Sequence, residues 1–208
     1  MKSQIICLFA WLFTINPAYT QAAKNFFESD ELVWYGLDFS QAKMVGGDFG
    51  AQPWEIKDRF FREWNYVVLD QPEKFNLPKF FRKTSVYKDL APVEARNKGV
   101  DEKNLMSYNE TQLNNDDIAK AVKQYKGGDK KEGTGLVFIV ENFNKPAKRA
   151  TVWVTFFDIA TKKVLLAKKM SAEPMGYGMR NYWIGAIYRI MTKINEKEYN
   201  NWRSEYGK

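Results

Sequence analysis

The chain has 208 residues, no histidine, one cysteine and a formal net charge of +7. Without histidine it builds neither a Ser-His-Asp nor a Cys-His catalytic set and offers no imidazole to a metal, and a lone cysteine closes no disulfide within the chain. The length suffices for one sizeable core without such staples, and the basic residues are interleaved with acids, as in Glu55-Ile56-Lys57-Asp58-Arg59, a pattern of solubility rather than of a nucleic-acid surface.

Lys2 is the only charge among the first 22 residues. The apolar run Ile5-Ile6-Cys7-Leu8-Phe9-Ala10-Trp11-Leu12-Phe13 follows, then Pro17 and the small-residue end Thr20-Gln21-Ala22. This is the layout of a secretory signal peptide, and the run is far shorter than the ~20 residues of a membrane-spanning helix. The expectation is cleavage after Ala22, with Thr20 or Ala18 as alternative sites. It leaves a single domain over 23–208, periplasmic or secreted and without cysteine. Cys7 follows Ile-Ile rather than a small residue, so lipidation is not expected.

Leu32-Val33-Trp34-Tyr35-Gly36-Leu37-Asp38-Phe39 is rich in strand formers and reads as the first strand, extending through Ala42-Lys43-Met44-Val45. Pro53 fits the first turn of a helix. Trp54, Phe61, Trp64 and Val68 recur at helical spacing, so a helix is expected from 53 to about 66, with 66–69 open to a short strand. The stretch 71–113 is punctuated by Pro72, Pro78 and Pro92, and only Phe80-Phe81 and Val86-Tyr87 stand out as packed pieces. Asn115 reads as a helix cap with Asp116 and Asp117 at the positive end of the dipole. Ile118, Ala121, Val122 and Tyr125 form the apolar face, and Gly127-Gly128 ends the helix. Three strands follow, over 135–140, 151–157 and 163–170, the last two joined as a hairpin through Asp158-Ile159-Ala160-Thr161-Lys162. Trp183, Ala186, Ile187, Ile190, Met191 and Ile194 mark a C-terminal helix, which Tyr199, Trp202 and Tyr206 continue after a break near Asn195.

Val45-Gly46-Gly47-Asp48-Phe49-Gly50 is one glycine short of the dinucleotide loop G-x-G-x-x-G, with Asp70 in the place of the ribose-binding acid. The missing glycine, the charge of Asp48 and the delay to Pro53 favour an ordinary tight turn. No cofactor, metal set or catalytic residue is assigned. The loop entering the last helix offers Gly176, Tyr177, Gly178 and Arg180 as a site for an anion or glycan. The hairpin lysines Lys162, Lys163 and Lys168 mark a sheet edge that either repels other strands or receives a partner. Asp38, Asp48 and Glu110 are carboxylates that spacing alone does not bring together.

The buried strand, then Thr151–Phe157, the turn Asp158-Ile159-Ala160-Thr161-Lys162-Lys163-Val164-Leu165 and the amphipathic helix together resemble periplasmic α/β domains of the TolB N-terminal-like type. Thr161-Lys162 keeps the Thr and Lys of that family's turn and lacks its Gly. The resemblance implies a mostly non-catalytic domain that binds an envelope partner. The expected fold is α/β (α+β), with a central mixed, largely antiparallel sheet, a C-terminal β-hairpin and amphipathic helices mainly on one face. The expected function is an exported, non-enzymatic protein that binds or scaffolds a cell-envelope partner. A small-anion or glycan binder and a carboxylate-dependent glycan hydrolase are the alternatives.

Overall fold

The computed structural model describes Lys24 and residues 26–207, so the signal-peptide reading of 1–22 lies outside the described residues. In chain order come β1 (Glu31–Asp38), β2 (Lys43–Val45) and α1 (Pro53–Glu55), which runs through a π-helical turn (Ile56–Phe60) into α2 (Phe61–Asp70). Next are α3 (Leu77–Phe81), β3 (Ser85–Lys88), α4 (Ala91–Lys98), a 3₁₀ turn (Glu102–Asn104), β4 (Met106–Ser107) and α5 (Asn115–Lys123). Then follow β5 (Thr134–Asn144), β6 (Arg149–Asp158), β7 (Val164–Ala172) and α6 (Gly178–Lys193), and a second π turn (Ile194–Glu198) leads into α7 (Tyr199–Tyr206).

Local chemistry accounts for most boundaries. Pro53 stands in the first turn of α1, where its missing N–H costs nothing. Residues 66–69 are helical, which settles the helix-or-strand alternative. α5 is capped by Asn114, one residue before the expected Asn115: its side chain accepts from the N–H of Asp116 and Asp117 while Asp117 reaches back to the cap, a capping box. That helix stops at Lys123, and Gly127, at φ +77°, turns the chain farther on. β5 extends past residue 140 through a bulge between Val140 and Asn142. The break near Asn195 is the second π turn.

The expectation of a largely antiparallel sheet is corrected. β1 runs parallel to β3 and β5, and β2 runs parallel to β4 and β5, so four of the six ladders are parallel. Antiparallel pairing is confined to β5–β6 and β6–β7. The hairpin was the legible part of the sheet. β3 and β4 have four and two residues, too few for alternation to show. The helices between β2 and β3 supply the long crossover that parallel strands require.

Most helices, α2, α3, α6 and α7, lie on one face, and α4 and α5 cover the other. On the larger face Trp34, Phe138, Val154 and Phe156 pack with Trp64 of α2 and Trp183 and Ile187 of α6. On the smaller face Val33, Tyr35, Val137, Ile139 and Phe157 pack with Val93 of α4 and with Ile118, Ala121 and Val122 of α5. No described helix is long and apolar enough to cross a membrane.

Candidate functional site

β6 occupies one edge of β5 over its whole length. β1 and β2 therefore share the other edge, end to end, pairing with 135–139 and 142–144 respectively. Between them residues 39–42 leave the ladder. The outer column is broken in the same place, because β3 pairs with β1 and β4 with β2. The break would orphan buried backbone groups, and two asparagine side chains take the place of the missing strand. Leu37 N–H donates to Asn65 Oδ1 at 2.7 Å, and Phe39 N–H donates to Asn97 Oδ1 at 2.7 Å. Leu37 O accepts from Asn65 Nδ2 at 3.1 Å and from Asn97 Nδ2 at 3.0 Å. An amide side chain has the donor and acceptor of a peptide unit, so the substitution is chemically like for like. Gly36 makes room for it: at φ +98°, a Cβ there would lie 2.3 Å from Asn65 Oδ1.

Above these two amides lies a cleft of about 420 Å³ between the π turn and α2 on one side and α4 on the other. This is the size of a small-molecule site, and π turns inside helices recur at functional sites. Phe61, Asn65 and Asn97 form its buried floor, and Lys57, Asp58, Arg62, Tyr66, Glu94 and Lys98 line the walls. Lys57 is already engaged, 3.1 Å from Glu102, and that hydrogen bond leads the causes that raise its pKa. Arg62 lies over the Tyr66 ring at 5.1 Å. Neither Arg62 nor Lys98 makes an ion pair among the described residues, and Glu94 makes none either. The cleft thus presents two uncommitted cations and one uncommitted carboxylate around an aromatic wall.

The carboxylates singled out from the sequence, and the buried Glu141, are committed. Asp38, fully buried at the end of β1, is 3.0 Å from Arg96 and accepts from the Tyr125 hydroxyl at 2.6 Å and from Ser40 N–H at 2.7 Å. Burial, then the Asp38 charge, pushes the Tyr125 hydroxyl far above its ordinary pKa, so Tyr125 is a standing donor. Glu141 accepts from Trp153 Nε1 at 2.8 Å and pairs with Lys169 at 2.9 Å. Glu110 binds Arg149 at 2.7 Å, and Asp48 Oδ1 accepts from Gly50 N–H at 2.6 Å. Asp38, Glu110 and Asp48 therefore hold separate sets of partners. No cluster of three or more potential metal ligands occurs among the described residues.

The residues singled out from the sequence lie elsewhere. In the 45–50 loop, Gly46 and Gly50 adopt positive φ, and a Cβ on Gly46 would strike Pro146 at 2.4 Å, so the loop is a turn packed on the β5–β6 connection. Asp70 ends α2 rather than a strand. Tyr177 caps α6 without a side-chain hydrogen bond, Gly176 and Gly178 have positive φ, and among the described residues the Arg180 guanidinium reaches only Asn181 Oδ1 at 3.4 Å. Gly178 borders a depression of about 360 Å³ with Phe49, Lys145, Lys148, Met179, Tyr182 and Trp183. Lys162 sits in the β6–β7 turn at φ +58°, next to Lys163, and Lys168 is bound to Tyr206 Oη at 2.8 Å and to Glu205 at 3.5 Å. β7, whose only strand partner is β6, leaves its outer edge without a strand among the described residues. Among the cleft residues, Phe61 lay in the helical stripe of Trp54, Phe61, Trp64 and Val68 that the sequence marked, while nothing local marked Asn65 beside it. α4 has no apolar periodicity to announce Asn97 and Lys98. No family model matches the chain, and no curated protein or solved structure matches it, so nothing in these comparisons links it to TolB-like domains.

Proposed function

We propose that this chain is a non-enzymatic binding protein whose ligand is a small organic anion, held in the cleft between α2 and α4. The observation that carries the reading is the pair Arg62 and Lys98, uncommitted cations on facing helices above a buried floor. A carboxylate or phosphate ester placed there gains charge-assisted hydrogen bonds. The Tyr66 and Phe61 rings suit an apolar or planar body, and Glu94 suits a ligand that also carries a hydrogen-bond donor. A non-catalytic role is supported by the engagement of Asp38 and Glu141 in internal ion pairs, which favours structural over acid–base work. The export and envelope address inferred from residues 1–22 remains part of this proposal and rests on the sequence alone.

The test is calorimetric titration of a panel of small carboxylates and phosphate esters, with thermal shift as a screen. At least one member is expected to bind, and Arg62→Ala combined with Lys98→Ala should weaken it by roughly tenfold or more, the worth of one or two charge-assisted contacts. A panel without binders, or binding that survives the double substitution, rejects this reading.

A further inference from the structure

The cleft leaves unused the loop at 173–178, where Met175 and Tyr177 stand out with 41% and 95% exposure. This loop is not slack. Pro174 is buried, Met175 N–H donates to Tyr182 O at 3.1 Å, and the Met175 carbonyl is pressed so closely on α6 that a Cβ at Gly185 would lie 2.0 Å from it. The backbone is pinned and the aromatic ring is held out into solvent. Beside it, Lys145 and Lys148 project from the β5–β6 turn over the depression that Gly178 and Met179 border. Lys145 Nζ donates to the Asp48 carbonyl, while Lys148, held at φ +47°, has no side-chain partner among the described residues. The lining combines apolar groups with lysines and includes no carboxylate or amide side chain to receive sugar hydroxyls. The nearest acids are turned to other work: Asp48 accepts from Gly50 N–H, and Glu173 pairs with Arg189 at 3.6 Å.

We propose that the 175–177 loop and the 145–148 turn form a docking surface for an anionic lipid bilayer, with Tyr177 and Met175 entering the headgroup boundary and Lys145 and Lys148 facing the lipid phosphates. Exposed aromatic rings with polar tips prefer that boundary, and basic groups near it gain from the negative surface potential. The surface is separate from the α2–α4 cleft and stands whether or not the cleft binds a ligand.

The test is co-sedimentation of the full chain with phosphatidylcholine vesicles prepared with and without phosphatidylglycerol. The apolar run near the N-terminus is common to every variant, so the difference between variants isolates the loop. Binding to the anionic vesicles is expected to fall by roughly tenfold in Lys148→Glu and severalfold in Tyr177→Ser, and to be weakened by salt. Both side chains are exposed, and unchanged melting temperatures should confirm that the variants fold. Lys120→Glu, at an exposed position of α5 outside both surfaces, makes the same change of net charge as Lys148→Glu and should bind as the native chain does. The proposal is overturned by absence of binding to anionic vesicles, by binding that both loop variants retain in full, or by an equal loss in Lys120→Glu, which would point to net charge alone. Soluble glycerol phosphate should not compete; if it displaces the chain completely, the surface is a phosphate site and not a bilayer site.

Discussion

At the scale of single residues, the most consequential side chains are the two amides that replace a strand. Asn97→Ala removes the acceptor of the buried Phe39 N–H, and Asn65→Ala removes that of Leu37 N–H. Each orphaned group costs about 1–3 kcal/mol, and chemical denaturation should show a loss of that order for each variant. Hydrogen exchange gives a sharper readout: the Phe39 amide should be protected in the native chain and lose that protection selectively in Asn97→Ala. Protection of Phe39 that survives the substitution would reject the surrogate-strand account. These amides were hard to read in the sequence because asparagine is common in loops and helix caps. What distinguishes them is the buried backbone they face, and that backbone comes from β1, distant in the chain.

At the scale of elements, signals contained within a turn or two were legible. The acidic first turn of α5, the proline start of α1, the alternation of β6 and the apolar stripe of α6 all depend on near neighbours. The π turn at Ile56–Phe60 and the short strands β3 and β4 were not, because their geometry answers to what they pack against. Helix–loop contact at α6 offers an element-level test. Gly185 is where Met175 lies against the helix, and a Cβ there would meet backbone, which cannot swing aside as a flexible side chain can. Gly185→Ala is expected to lower the melting temperature despite alanine's better helix propensity, and to loosen the pinned loop so that vesicle binding falls along with it. A raised melting temperature would show that the contact is not tight.

At the scale of the whole molecule, Lys83 ties distant parts together. It is almost fully buried, donates to the carbonyls of Phe26 and Ser29 at 2.6 Å each, and lies over the Phe26 ring at 4.4 Å. Phe26 in turn packs on Phe156 of β6 and Tyr199 of α7. Burial lowers the Lys83 pKa to about 8, against the opposing charge of Asp30 and with a smaller contribution from Arg203. Between that value and the ordinary lysine range, the unfolded chain binds more protons than the folded one, so stability rises with pH. The cost of burying the ammonium is present in full below pH about 8 and is relieved as pH climbs through it. Tyr35, pushed up to about 12 by burial and then by Asp89, reverses the trend once free tyrosines ionise near pH 10. Denaturation midpoints should therefore climb from pH 8 towards 10 in the native chain, and Lys83→Met should flatten that climb. A slope unchanged in Lys83→Met would assign it to other groups.

The sequence by itself determined the segments whose cause is local: where α1 begins, where α5 begins to within one residue, which strands carry apolar residues and which face of α6 is buried. The tertiary structure alone decided that β1 and β5 run parallel, that the column of β1 and β2 along β5 is broken at 39–42, and that Arg62 and Lys98 line one cleft. The physical reason is range. Caps, propensities and amphipathic stripes are set within one or two turns of chain. The direction of a strand pair and the meeting of two helices depend on where a long crossover returns, and no local pattern records that.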